Sequence, residues 1–181
     1  MNTLAHGLLS LLSLSPSSGY DLMLRIQLIW PAKHSQIYPL MASLEKDGMV
    51  TSQLVQQSDK PDKKVYSLTE QGIDALRAWA REDVEGHPVL RDELMLKLYC
   101  LPVVELESSR LMITKRMEYY RSKEVDLEQR LVKLRDKEGG DPKPDSTMFG
   151  NYLLLHKGLA DIRAGLGWCE WALTQLSVEK S

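Results

Sequence analysis

Only two cysteines, Cys100 and Cys169, occur in the 181 residues, far apart and with no second ligand nearby. Two isolated thiols fit small buried side chains in a reducing compartment and exclude a disulfide framework. The histidines His6, His34, His87 and His156 stand at no ligand spacing, and Cys100 has no visible partner base. A glycine-rich phosphate loop, a nucleophile elbow and a metal motif are all missing, so no enzyme activity, cofactor or metal is expected. Overall basicity is missing too. With 23 Lys and Arg against 25 Asp and Glu the net charge is −2, so any nucleic-acid surface must be local. The N-terminal apolar run is broken by His6, Ser10 and Ser13 and lacks a basic leader or an A-x-A site. It reads as neither signal peptide nor membrane span, and a cytoplasmic protein is expected.

What is present is an ordinary mixture, 43% hydrophobic and 27% charged, with enough material for one domain or two small ones. The most informative stretch runs from His34 to Val50. Ser35 is the expected N-cap, and Ile37, Leu40 or Met41, and Leu44 form an apolar stripe. Pro39 is tolerable only near a helix start, and Gly48 is the stop. Upstream, Thr3 is the expected cap of a helix over 4–14, with Leu4, Leu8, Leu11 and Leu12 at helical spacing. Leu9 and Leu14 widen that helix's apolar face. Residues 15–19 read as a turn. Ser18-Gly19-Tyr20-Asp21 opens a second helix that ends near Leu28, before Trp30-Pro31. Downstream, residues 49–55 and 63–68 read as strands joined by a polar turn over 56–62. Thr69 caps a fourth helix whose core face is Ile73, Leu76, Trp79 and Ala80. Three helices, a hairpin and a helix make a winged helix-turn-helix.

That architecture suits double-stranded DNA, with one helix in the major groove and the hairpin over phosphates. The candidate DNA contacts are Lys33, His34, Ser35, Gln36 and Tyr38 at the start of the third helix, and Lys60, Lys63 and Lys64 at the hairpin. From Lys33 to Tyr66 five lysines face four carboxylates, five minus four being +1, so placement and not net charge carries the signal. The alternative for the lysines is a solvated turn, and for Gln36 and Tyr38 a capping or packing role. Winged helices also serve as protein-interaction modules without DNA-binding activity, which is the alternative function.

Residues 85–90 form a short hinge, dividing a domain at 1–86 from a helical one at 87–181. A compact helix over 91–102 should close at Pro102. A long helix follows over 104–137, with a seam of Leu106, Arg110, Ile113, Met117, Tyr120, Glu124, Leu127, Leu131 and Leu134. Asp126–Arg130 and Glu118–Arg121 are favourable pairs on it, and Glu124–Glu128 an unfavourable one. Residues 138–145 read as a linker. The last helix starts at Ser146 or Thr147 and runs to about Leu176, with a seam of Tyr152, Leu155, Leu159, Ile162, Leu166, Cys169, Leu173 and Leu176. A second stripe, Phe149, Leu153, Leu154, Trp168, Trp171 and Ala172, exceeds what one antiparallel partner covers, so a second protomer is expected. Gly158 and Gly165 would let another helix approach closely. The expected fold class is mainly α with a small β-hairpin, a winged helix-turn-helix plus an α-helical C-terminal dimerisation domain.

Ser18-Gly19-Tyr20-Asp21-Leu22, Trp30 with Ser35-Gln36-Ile37-Tyr38-Pro39-Leu40, and Leu44-Glu45-Lys46-Asp47-Gly48-Met49-Val50 together resemble the PadR family of transcriptional regulators. Lys64 to Gly72, continuing through Leu76 and Trp79, is similar to that family's second wing strand and following helix, so the likeness covers residues 4–80. Members often carry Lys or Arg where this chain has Ala42 and Ser43, which shifts binding toward the wing and Lys33. The second half resembles the virulence-activator-like domain of one branch. The resemblance implies a homodimer whose last helix meets the partner's first, through Leu4, Leu8 and Leu11 and through Tyr152, Leu155, Leu159, Ile162, Leu166, Trp168 and Leu173. It further implies a repressor on a pseudo-palindromic operator and a small aromatic effector. Trp30, Trp79, Trp168 and Trp171 are candidates to stack on such a ligand, with core or interface packing as the other reading.

Overall fold

Asn2, not Thr3, starts the first helix: its side-chain oxygen accepts the Ala5 amide at 2.8 Å, so α1 runs Thr3–Leu14. Asparagine caps at least as well as threonine, and the move leaves the buried face unchanged. The computed structural model describes residues 1–27, 29–56, 62–84, 86 and 91–177. The chain divides into two compact units, Met1–Gly86 and His87–Ser181. Of the hinge expected over 85–90, only Gly86 is among the described residues.

In the first unit α1 is followed by β1 (Ser17–Ser18), α2 (Gly19–Ile26), α3 (His34–Lys46), β2 (Val50–Val55), β3 (Lys63–Leu68) and α4 (Glu70–Trp79). The sheet is antiparallel in the order β1-β3-β2, with Ser17 opposite Tyr66 and Val50 opposite Leu68. β1 corrects the turn expected at 15–19; a two-residue strand has no alternation for a pattern to reveal. Ser18 also caps α2, its hydroxyl accepting the Asp21 amide at 3.2 Å and donating to Asp21 Oδ2 at 2.7 Å. The expected end of α2, Leu28, lies outside the described residues, and the helix itself stops at Ile26.

One apolar cluster joins these elements. Leu8 and Leu9 of α1, Leu22 of α2, and Ile37, Met41 and Leu44 of α3 are buried in it with Val50 and Tyr66 of the sheet. Each large aliphatic side chain so buried stabilises by about 1.5–3 kcal/mol over exposure. The stripe read from α3 is therefore the face that anchors it. On α4, Ile73, Leu76 and Trp79 are half-buried, while Ala80 is exposed as the C-cap, where the helix turns away from the core.

The wing is fastened at its root. Gly48 ends α3 at φ +72°, a conformation glycine adopts without a Cβ clash. The Thr69 amide donates to the Met49 carbonyl at 3.2 Å, and its hydroxyl lies 2.7 Å from the Gly48 carbonyl and 3.0 Å from that of Met49. The same hydroxyl accepts the Gly72 amide at 3.0 Å, which makes Thr69 the cap of α4. A Cβ on Gly72 would stand 2.1 Å from the Met49 carbonyl oxygen.

In the second unit Asp92 caps α5 (Glu93–Lys97), accepting the Leu94 amide at 2.9 Å. A 3-10 helix over Leu98–Val103 follows. The single helix expected to close at Pro102 is thus split, and Pro102 lies inside the 3-10 segment. Such tighter turns run in short pieces, and proline's missing N–H is less costly there than in an α-helical interior. The long helix α6 spans Leu106–Glu138 and ends where the Gly140 amide donates to the Arg135 carbonyl at 2.9 Å, past Gly139 at φ +73°. The last helix, α7, spans Phe149–Gln175, starting after the Ser146 hydroxyl has accepted the Met148 amide at 3.0 Å.

α6 and α7 lie antiparallel. Ile113, Leu127, Leu131 and Leu134 of α6 and Leu155, Leu159 and Cys169 of α7 are buried, so the two expected seams close on each other. Gly158 and Gly165 serve this contact: a Cβ there would meet Leu127 Cδ1 at 3.0 Å and the Tyr120 ring at 2.6 Å. The Glu124–Glu128 repulsion is relieved by Arg163 of α7, which reaches both carboxylates at 2.7 Å. Arg110, a break in the seam, donates to the Ser177 hydroxyl at 3.0 Å at the far end of α7. Asp126–Arg130 pairs at 3.0 Å as expected. Asp92 is held by Arg116 through two contacts, Nη2 to Oδ1 at 2.9 Å and Nη1 to Oδ2. No helix among the described residues is long and apolar enough to cross a membrane.

Two outcomes follow from these joints. Gly72→Ala should destabilise the chain by roughly 1–3 kcal/mol, since the clash is with a backbone carbonyl that cannot swing aside; a lowered urea midpoint at pH 7 is the readout. The Arg116 guanidinium holds the Asp92 carboxyl below its ordinary 3.8. A carboxylate with a depressed folded-state value contributes stability above the ordinary value and loses it as pH falls through the depressed one. The stability gap between wild type and Asp92→Asn should therefore be full at pH 6 and narrow below pH 3.8, as followed by urea unfolding across that range.

Candidate nucleic-acid interface

α3 has two unlike faces. Ile37, Met41 and Leu44 point into the core, while Lys33, His34, Ser35, Gln36, Tyr38, Ala42 and Ser43 are exposed. The cap is not Ser35. Lys33 holds the N-cap position, and its amide donates to Gln36 Oε1 at 3.0 Å. That is the return half of a capping box, which Gln36 can supply because it sits three residues into the helix. Pro39 consequently lies in the second turn, deeper than expected, where its ring leaves the Ser35 carbonyl without an amide donor from that position. Tyr38 packs its ring over Gly19, whose absent Cβ would lie 2.9 Å away, and stacks beside His34 at 5.9 Å between centroids. Tyr20 stands 6.1 Å from the His34 ring, so three exposed aromatic side chains line the join of α2 and α3.

The hairpin is less simply basic than its composition. Lys60 lies outside the described residues. Lys63 pairs with Asp21 of α2 at 2.7 Å, and Lys64 with Glu45 of α3 at 2.7 Å. Lys33 makes no ion pair among the described residues. Sequence reading missed both carboxylates as members of this surface; the only signal was their presence near helix ends, which says nothing about a strand many residues away.

Residues 8–78 match the model of the PadR-like family of transcriptional regulators, and residues 90–177 match the virulence activator alpha C-terminal model. The negative transcriptional regulator PadR of Bacillus subtilis is 30% identical over 181 residues, covering 97% of this chain and 98% of that one. The chain belongs to the PadR-like family of transcriptional regulators. Bacillus subtilis PadR in complex with operator DNA matches its structure with a TM-score of 0.82 at 30% identity, over 98% of this chain and 99% of that chain. The same regulator in complex with p-coumaric acid matches with a TM-score of 0.75 at 28% identity, over 98% and 100%.

Within this PadR-like chain the other candidate residues fall into distinct settings. Leu4 and Leu8 are buried in the first unit's own core and Leu11 packs against it, so Leu8, at 0% exposure, has no surface to offer a partner. Leu155 and Leu159 are likewise covered by α6 of the same chain. Tyr152, Ile162, Leu166, Trp168 and Leu173 are half-buried. The sequence seam of α7 is thus largely an intrachain seam, because α6 is long enough to cover it.

The tryptophans also separate. Trp79 stacks on His6 at 4.7 Å, Trp168 packs on the cluster of Ile113, Cys169 and Ala172, and Trp30 and Trp171 are exposed. Cavities of about 520 and 310 Å³ beside α5 are lined by other described residues, among them Met95, Met112 and Tyr119.

If Gln36 acts as the return half of the cap, Gln36→Ala should cost about 0.5–1 kcal/mol of stability while Gln36→Glu, which keeps the acceptor, costs nothing. Equal urea midpoints for the two variants would remove that role.

Proposed function

We propose that this regulator is a homodimer that binds double-stranded DNA at a pseudo-palindromic operator, acts as a repressor, and is released by a small aromatic acid. The observation that carries the reading is the exposed N-terminal half of α3. There Lys33, His34, Ser35, Gln36 and Tyr38 surround a helix start whose free backbone amides favour phosphate, on a helix whose other face is locked into the core. The likeness to a regulator seen on operator DNA supports it, as does that relative's description as a negative regulator. The likeness to the p-coumaric acid complex supports an aromatic acid as the effector class.

Dimerisation is supported by what α6 leaves uncovered. Leu153, Ala160, Ala164, Gly167 and Trp171 fall within about 40° of one line down α7 at the helical period, and all are exposed. Leu153 is 52% and Trp171 59% accessible with small residues between them, and the one charged residue in the same sector, Lys157, is paired with Asp161. A second protomer seated there would double the reader, setting two α3 helices about one DNA turn, or a multiple of it, apart.

Selection of bound duplexes from a random pool by the full chain should enrich a two-fold-related pair of half-sites, with p-coumaric acid weakening the complex formed on them. Enrichment of nothing would leave the protein-interaction module as the reading. Trp171→Ala should shift the sedimentation equilibrium toward monomer with the thermal midpoint little changed. Trp168→Ala should instead lower the midpoint, because its ring packs inside its own protomer.

A further inference from the structure

The two lysines of β3 are adjacent, and adjacent strand residues face opposite sides of a sheet. They are accordingly taken by different helices. Lys63 Nζ lies 2.7 Å from Asp21 Oδ2, an oxygen that also accepts the Ser18 hydroxyl at 2.7 Å. Lys64 Nζ lies 2.7 Å from Glu45 Oε2, while Glu45 Oε1 accepts the hydroxyl of Ser52 on β2. Glu45, near the end of α3, therefore grips one residue from each wing strand, and Lys64 lies in addition over the Tyr66 ring at 5.3 Å. Hydrogen bonds from Lys64 and then Ser52 hold the Glu45 carboxyl below the usual range, and those from Lys63 and then Ser18 do the same for Asp21. Both carboxylates are thus charged wherever the protein would meet DNA.

We infer that Asp21 and Glu45 are positioning residues that hold Lys63 and Lys64 of β3 as internal counterions, so that this strand is fixed to α2 and α3 while its two lysines add little sequence-independent attraction for DNA. The inference rests on the DNA-binding reading above and deepens it. Binding to a duplex is driven by release of the small cations condensed on the phosphates that protein cations neutralise, and the salt slope counts those phosphates. A lysine already neutralised by a carboxylate at 2.7 Å must give up that partner to count. The two lysines and their two carboxylates cancel, and the exposed Asp62 beside Lys63 adds no cation to the described base of the wing. Lys33, exposed at the start of α3 and in no described ion pair, is a cation that counts in full. The arrangement discounts the grip on arbitrary duplex and leaves base contacts from α3 a larger share of the total.

The test is the salt dependence of binding by the full chain to a non-specific duplex of fixed length, with folding followed by far-ultraviolet circular dichroism. Lys33→Gln should flatten the slope of log K against log salt by about one per protomer. Lys64→Gln should change it by less than half as much. Glu45→Gln should steepen it by about one per protomer and tighten non-specific binding, and adding Lys64→Gln to Glu45→Gln should return the slope to that of wild type. Asp21→Asn, with Lys63→Gln as its second step, repeats the test on the other side of the strand should Glu45→Gln fold poorly. A Lys64→Gln slope as flat as that of Lys33→Gln, with Glu45→Gln indistinguishable from wild type, overturns the inference while leaving DNA binding intact. No binding by wild type to any duplex at low salt removes the DNA-binding reading and the inference together.

Discussion

The position of the wing depends on one carbonyl oxygen, that of Met49. α3 ends at Lys46 and turns through Gly48, β2 begins at Val50, and α4 begins after Thr69, so three elements meet at this peptide. Thr69 donates to its oxygen from the backbone at 3.2 Å and stands beside it with its hydroxyl at 3.0 Å. Gly72 then passes so close that a methyl group would not fit. A carbonyl enclosed between three elements needs a donor, and here the donor is the residue that also caps the next helix. The root of the hairpin cannot shift without uncapping α4, which makes α3, the wing and α4 one mechanical piece. Glu45 adds a second tie farther along the strands, through Ser52 and Lys64.

The second unit is held on a different principle. Two long helices, α6 with a heavily charged outer face, need a close apolar seam, and small residues on α7 allow it. Gly158 and Gly165 bring α7 near enough for Leu127 and the Tyr120 ring to fill the space of absent methyl groups. Arg163 converts the adjacent Glu124 and Glu128 into a clamp, and Asp92–Arg116 fastens the short α5 to α6. Because α6 occupies the seam, exposed apolar side chains remain on α7 along the line from Leu153 to Trp171. That line is the surface proposed for a second protomer.

Local chemistry was legible and distant chemistry was not. Ile37, Met41 and Leu44 were readable because a helix repeats every 3.6 residues, and Thr69 because a capping threonine announces the helix it starts. The cap of α3 was misread as Ser35 since serine is the commoner cap. The structure uses a lysine there because Gln36 supplies the return bond, so the side chain at the cap matters less. Gly158 and Gly165 were recognised as a close-approach face, but their spacing could not say whether the approaching helix belonged to the same chain. The wing lysines were read by their charge alone. Their partners Asp21 and Glu45 are 42 and 19 positions away, and no periodicity links residues brought together only by the fold of the sheet.

These features bear together on how a regulator with so little positive charge can act. In the proposed reading each α3 offers Lys33 and a helix start in place of a basic groove-filling surface, with Ala42 and Ser43 at its middle. Attraction to phosphate is blind to sequence, so every cation added to the reader raises affinity for all competing duplex as well as for the operator. Pairing the wing lysines internally removes that common term and keeps the rigidity they give the hairpin. Affinity lost in one protomer is recovered by joining two, because the second half-site is then met at the high effective concentration set by the first. Internally paired lysines on β3, a lightly charged α3 and exposed apolar side chains on α7 thus answer one requirement: discrimination gained by lowering what every DNA sequence shares, with the dimer restoring strength where two half-sites are correctly spaced.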